Sequence, residues 1–445
     1  MVWSQAITHL RGHEVRRSIK SWMLLCCLMA AAALMERRCQ GDGITLDGVS
    51  AVSIGRGGTN LGFADNGSML HDNPGALGQM KGDVMLQLGA TALFTQFDYG
   101  DADNVQQRSQ NQMYALPEFT YIKRLNQQWT SGFGIYTPTG FGSIYNLEGP
   151  APFGGPQHYE SFGSLTKVLF GASYTPCGHE YVSFGGTIGP AISFVNVEGP
   201  YTLQGPTAAG LPGLLDLGVE GAGLTWSLGA SCQLTESTSM GFSYLAQVDV
   251  DADGEVGLTS PLGRTTYDTD VEVKWPASVG LGLKQDLSSR TTIACDVIWT
   301  NWSNAFDQFV LNLSSPTNVA YPAVAVESFP LNWSDTLSTR VGIEHRLCNG
   351  HIVRAGYVHH KSPIPPETIN VWMPGALENA FSLGYGVHMF DWDVNLSYMF
   401  SVGPTVEVGT SDFIGGDFDN SVHRNKSHAA SISFTRTFGT GEKSY

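Results

Sequence analysis

The chain has 445 residues, 14% of them charged, a formal net charge of −16, 53 glycines and 11% aromatic residues. Soluble globular proteins average about 25% charged residues, and a nucleic-acid binder would show a basic face that this acidic chain lacks. Beyond the first forty positions no run of about 20 apolar residues occurs, so a bundle of membrane helices is excluded. Residues 1–40 read as a signal peptide. Arg11, Arg16, Arg17 and Lys20 form a basic segment, Trp22–Met35 is apolar, and Ala30–Ala33 supplies small residues for cleavage. The cysteines have no metal-ligand spacing.

Residues 44–82 come next, rich in Gly, Asn and Asp and without a long apolar face. From residue 83 to 438 the chain alternates apolar and polar residues with period 2. Fourteen strand candidates lie near 83–97, 112–124, 128–138, 161–175, 180–195, 220–234, 238–250, 267–285, 289–301, 335–347, 350–361, 379–390, 391–401 and 427–438. In 224–234, Leu224, Trp226, Leu228, Ala230, Cys232 and Leu234 alternate with Thr225, Ser227, Gly229, Ser231 and Gln233. One face is apolar and aromatic and the other is small and polar. A soluble sheet would leave a Lys- and Glu-rich outer surface, so lipid lies outside and a polar lumen inside. The fold class is all-β: a 14-stranded antiparallel transmembrane β-barrel with an N-terminal hatch in its lumen.

Pro276 could divide 267–285. The alternation Val271, Val273, Trp275, Ala277, Val279, Leu281, Leu283 runs through it, which predicts one long strand with these residues on the lipid face. The connections alternate short and long, the long ones being 98–111, 139–160, 196–219, 251–266, 302–334, 362–378 and 402–426. Short periplasmic turns and long outer loops are the barrel asymmetry. They place the hatch and a tail at 439–445 on the periplasmic side.

The stretch Gly55-Arg56-Gly57-Gly58, Ala64-Asp65-Asn66 and His71-Asp72-Asn73-Pro74-Gly75-Ala76-Leu77 resembles the N-terminal hatch of the FadL/TodX family of outer-membrane transporters. Gly75 stands where the family usually has Ala. A second resemblance follows at Trp275-Pro276-Ala277, Trp299-Thr300-Asn301-Trp302, Arg340-Val341-Gly342 and Arg354-Ala355-Gly356-Tyr357. It implies an outer-membrane carrier of fatty acids or hydrocarbons, not an enzyme. It also implies passage through the barrel wall near a kinked third strand, where Thr137-Pro138-Thr139-Gly140 lies. The aromatic-ended segment Phe434–Phe438 resembles the final strand read by barrel-assembly machinery.

Candidate site residues follow. Lys167, Lys274 and Arg340 are assigned to the lumen, where they can meet a ligand carboxylate, since a cation on the lipid face costs about 2–4 kcal/mol at midplane. Arg340 is expected to pair with Asp296. The loop 139–160, with Phe141, Tyr145 and Phe153, is apolar for an exposed segment and is the expected capture groove. Gly55, Arg56, Gly57, Asn73 and Pro74 shape the hatch, Asn73-Pro74 fixing a turn. Asp249, Asp251 and Asp253 resemble half of a calcium loop, but Ser260 occupies the position of its last acidic ligand. They read as a solvated acidic loop, and no metal or cofactor is assigned. The reading is an outer-membrane channel for hydrophobic molecules, long-chain fatty acids foremost. The chain would be a monomer set among outer-membrane lipid and lipopolysaccharide. Rival readings are an aromatic-hydrocarbon channel, a general diffusion porin and an outer-membrane lipid hydrolase.

Overall fold

A computed structural model describes residues 44–149, 152–206 and 208–439. The signal segment 1–40 and the tail beyond 439 lie outside the described residues. Fourteen antiparallel staves form the wall. They are β1 Val84–Gly100, β2 Gln112–Arg124, β3 Trp129–Glu148, β4 Pro156–Tyr174, β5 Val182–Thr202 and β6 Pro212–Thr235. Next come β7 (Thr238–Leu245 and Val248–Ser260), β8 (Gly263–Trp275 and Ser278–Asp286), β9 Thr291–Thr300 and β10 Thr336–Arg346. The last are β11 Ile352–His359, β12 Asn379–Met389, β13 Trp392–Glu407 and β14 Val422–Phe438. β1 pairs along its whole length with β14, from Val84 opposite Phe438 to Gly100 opposite Val422, and this closes the barrel.

Several staves run well past the expected ends. β3 continues to Glu148 and β4 starts at Pro156, so most of the expected loop 139–160 is a hairpin. The expected loop 251–266 reduces to Pro261-Leu262 between β7 and β8, which breaks the alternation of short and long connections. Residues 302–334 fold into a helical turn, Trp302–Ala305, and a hairpin, Gln308–Ser314 with Val324–Pro330. The hairpin extends the wall above β9 and pairs with the outer end of β8.

The inner face changes character with height. Low on β5 the buried, inward residues are Ser183, Thr187 and Ser193, with Phe184, Ile188 and Phe194 exposed outward. Higher up the same strand, Val195 is inward while Asn196 and Glu198 are exposed. β6 repeats the change: Thr225, Ser227 and Ser231 are inward below, and Leu215, Leu217 and Val219 above. Below, lipid demands an apolar exterior. Above, water surrounds the wall and the apolar residues turn inward, as in any soluble domain.

In β7 and β8 the change takes another form. The β6–β7 register steps by one residue between Ser227 opposite Leu245 and Ala222 opposite Asp251. The β7–β8 ladder keeps one register across the break, with Leu245 opposite Ser278 and Val248 opposite Trp275. Ala246-Gln247 and Pro276-Ala277 are therefore one shared bulge, and it turns each strand over. Below it Gly280 and Gly282 point at the hatch; above it Val271, Val273 and Trp275 are buried inside. This corrects the single-strand reading, and with it Lys274. That side chain alternates with buried Val273 and Trp275, is 34% exposed, and ion-pairs with Glu272 at 3.0 Å beside the apolar chamber described below. Asp249, Asp251 and Asp253 likewise project outward from β7, on a strand and not in a loop.

Residues 44–82 sit inside the lower half. Helix α1 (Ala51–Gly55) carries a capping box of Ser50 and Ser53. Helix α2 (Met69–Asp72) leads into a 3-10 turn, Pro74–Gln79, capped by the Asn73 side chain, which accepts from Gly75 N. The hatch backbone approaches the wall so closely at its glycines that a Cβ would not fit. A Cβ on Gly55 would lie 3.0 Å from Gly384 Cα, and one on Gly75 would lie 2.6 Å from Ala230 Cα. That crowding is the physical reason for glycine at 75. Gly57 adds a left-handed φ of 64° beside Gly356.

Candidate substrate path

The hatch is fastened by charge. Arg56 is 1% exposed, lies 2.8 Å from Asp65, donates to Asn60 Oδ1 at 2.8 Å and stacks on Phe63 at 3.5 Å. Asp296 on β9 accepts the backbone N–H groups of Asn60 (2.7 Å) and Leu61 (3.0 Å). Arg340 stands opposite it in the β9–β10 register, and the Arg340 guanidinium reaches hatch Asp47 at 3.2 Å. Burial opposes the charge on Asp47, but the His360 hydrogen bond and Arg340 outweigh it and hold the carboxyl below its ordinary value.

Three cavities stack above and beside the hatch. The uppermost is an apolar chamber among Phe141, Leu217, Trp275, Phe306, Phe329, Trp372 and Phe413. Its walls come from β3, β5, β6 and β8, and its roof from the three outer loops. The roof is tied at Thr202–Gly205. Asp417 accepts Thr202 N and Oγ1, both at 2.7 Å, and Glu327 accepts Gln204 N (2.8 Å) and Gly205 N (2.9 Å). Burial pushes both carboxyls up from their ordinary values despite these donors.

Below the chamber is a vestibule of mixed, largely apolar lining that meets the hatch at Val49, Asn60, His71 and Asp72. Lys167 and Arg340 both line it. Lys167 is 8% exposed, and among the described residues it has no hydrogen-bond or ion-pair partner.

The third cavity opens sideways. β2 and β3 pair only from Phe119 opposite Ile135 down to Arg124 opposite Thr130. Above that, β2 stays with β1 as far as Gln112, while β3 is bulged between Tyr136 and Thr139. Pro138, without an N–H, sits in that bulge. The wall closes again where Gln110 N donates to Ile144 O at 2.7 Å. The gap between is lined by Tyr114–Pro117, consecutive residues from both faces of β2, and by Thr137 and Thr139–Gly142. Across its inner mouth lies the start of the hatch. Thr45 bridges Thr139, Leu46 N donates to Pro138 O (2.9 Å), and Gly140 N donates to Ile44 O (3.1 Å).

A model of outer membrane transport proteins (OMPP1/FadL/TodX) matches residues 32–438. The chain belongs to this family. It is an outer-membrane β-barrel that transports hydrophobic substrates. Among solved structures, the Pseudomonas putida toluene transporter TodX is 19% identical, with a TM-score of 0.71 over 88% of this chain and 99% of that one. A Pseudomonas aeruginosa FadL homologue is 16% identical, with a TM-score of 0.73 over 89% and 100%. The Ralstonia pickettii toluene transporter TbuX is 20% identical, with a TM-score of 0.69 over 88% and 99%. At these identities the likeness is one of fold. No curated protein sequence matches significantly.

The expected site residues fare differently on this FadL/TodX scaffold. Phe141 lines both the chamber and the side opening, and it does so from β3, not from a loop. Tyr145 is 1% exposed and packs edge-on against Tyr99 inside the core. Phe153 is half-buried in the tip of the β3–β4 hairpin, away from all three cavities. Sequence reading missed Trp275, Phe306, Trp372 and Phe413. The last three lie in segments 302–334, 362–378 and 402–426. Their aromatic content was the available signal, masked because those segments were read as exposed loops.

Proposed function

We propose that the chain captures long-chain fatty acids in the apolar chamber, holds the carboxylate at Lys167, and releases the molecule through the β2–β3 opening. The carrying observation is a buried cation, without a partner among the described residues, in the cavity below an apolar chamber. At about 0.8 kcal/mol per buried CH₂, a sixteen-carbon tail supplies roughly 12 kcal/mol of gross drive, so the head group mainly orients. Hatch residues 44–82 act as the plug in the wide lower lumen. A second reading, uptake of monoaromatic hydrocarbons, is favoured by the aromatic lining of the chamber and by toluene transporters among the similar folds.

Binding of oleate and of toluene to the purified barrel, with and without Lys167→Met, separates the two. A hydrogen bond to a charged group is worth about 1.5–3 kcal/mol. On the fatty-acid reading the variant loses roughly tenfold or more in oleate affinity and none for toluene. Toluene binding with no oleate binding in either form would establish the second reading.

A further inference from the structure

We propose that Trp275 is the internal gate of the transport path, a hinged ring that separates the capture chamber from the basic vestibule. The proposal rests on the transport reading above and adds to it the residue that controls passage between the two spaces. Three observations converge on this side chain. Among the described residues, Trp275 alone lines both cavities. It is 2% exposed, so its ring is packed between the two spaces. The ring reaches across the interior from β8 to β5, where its Nε1–H donates to Ser193 Oγ at 3.2 Å.

The fold explains why a tryptophan stands there and why it can move. Trp275 is the last residue before the shared bulge, Ala246-Gln247 with Pro276-Ala277, that turns β7 and β8 over. Without that bulge an odd-numbered residue on β8 would point to lipid, as Val279 does. Ser193 is the last small polar residue on the inner face of β5 before the apolar pair Val195 and Val197. The ring is therefore latched at the boundary between the apolar and polar interiors. Its apolar body contacts the chamber, with Phe306 edge-on at a centroid distance of 6.0 Å, and its polar edge meets the Ser193 hydroxyl. Chamber and vestibule border the ring on its two sides, and Pro276 contributes no N–H to stiffen the wall beneath it. A ligand tail that enters the chamber meets the indole before it meets Lys167. Rotation of the indole about χ1 and χ2 joins the two cavities into one channel.

The test uses the full-length barrel in proteoliposomes and oleate as the probe, with equilibrium binding and maximal uptake rate measured separately. Trp275→Ala is expected to raise the maximal rate by about tenfold, the effect of ~1.4 kcal/mol off the barrier. Oleate affinity should change much less than the rate. Ser193→Ala and Trp275→Phe remove the latch but keep a closing ring, and each should raise the rate two- to fivefold. These milder variants keep the test intact if Trp275→Ala does not assemble, which heat-modifiable gel migration reports. Unchanged uptake in Ser193→Ala and Trp275→Phe overturns the gate. So does a loss of uptake that follows a loss of affinity in any of the three, since that is the signature of a binding wall. Wild-type barrel that neither binds nor admits oleate would instead overturn the transport reading on which the gate depends.

Discussion

The lower and upper halves of this barrel have opposite interiors built from the same strands. On β6, Thr225, Ser227 and Ser231 face a polar hatch, while Leu215, Leu217 and Val219 face an apolar chamber ten residues away. Hydrophobic burial is indifferent to which face of a strand it uses. It follows the side away from water, and the side away from water changes where the membrane ends. The lower half is filled by a folded segment, held by glycine contacts and ion pairs. The upper half is filled by aromatic side chains around an apolar cavity. A pore that is wet below and greasy above suits molecules that lipopolysaccharide excludes.

The largest expected effect comes from emptying the lower half. Deleting residues 44–80 should convert a barrel of low conductance in a planar bilayer into one of large, steady conductance. About eight strands already enclose enough space to hold their own side chains, so fourteen leave a wide lumen. A deletion that conducts no better than wild type would mean the hatch is not the plug.

Reversing the polarity of neighbouring positions in the upper half should give opposite results. Val273→Asp puts a carboxylate into the chamber wall, and burying an unpaired charge should cost about 3–5 kcal/mol, read as lost stability to denaturant in detergent. Lys274→Ala changes the outer surface one residue away and should stay within about 0.5 kcal/mol. If Lys274→Ala is the damaging change, the assigned facing of β8 is wrong.

Closer to the hatch, Gly75→Ala should loosen its docking, since the new methyl meets Ala230 at 2.6 Å. Overpacking of this kind costs about 1–3 kcal/mol, and faster proteolysis of residues 44–82 would report it. A rate equal to wild type would show that the hatch yields freely there.

The two halves should also respond to pH with opposite sign. Asp47 has a lowered folded pKa, so its contribution is full above the ordinary aspartate value and disappears as pH falls through the folded one. Glu327 in the roof has a raised folded pKa, so its segment is most stable below the ordinary glutamate value and loses stability as pH rises through the folded one. Hydrogen exchange at residues 203–205 and 46–48, corrected for intrinsic rates, should therefore shift in opposite directions on acidification. Parallel shifts would contradict the assignment.

The smallest effect separates the three aromatics first assigned to one loop. Phe141→Ser should weaken oleate binding by about tenfold, from ~1.5 kcal/mol of lost apolar contact. Phe153→Ser should leave binding unchanged, because its ring meets no cavity. Equal losses in the two would move the groove to the hairpin tip.

Period-2 alternation determined by itself that this chain is a barrel of fourteen staves with lipid outside, since each stave carries its own record of the two environments. The hatch was legible from composition and from its motif, with Asn73 capping Pro74–Gln79 as the Asn-Pro pair implies. Lys167 and Arg340 were legible as inward because nothing pays for a cation in lipid. The facing of Lys274 and Trp275 was not. There the bulge at 246–247 and 276–277 turns the strands over at the same height at which water replaces lipid. The two inversions cancel, and the apolar alternation from Val271 to Leu283 runs on as though neither had occurred. Only the pairing of β7 and β8 with β6 reveals the step in register. Likewise, loops 302–334, 362–378 and 402–426 acquire a chamber only when folded over one another, because a cavity belongs to surfaces brought together and to no single segment.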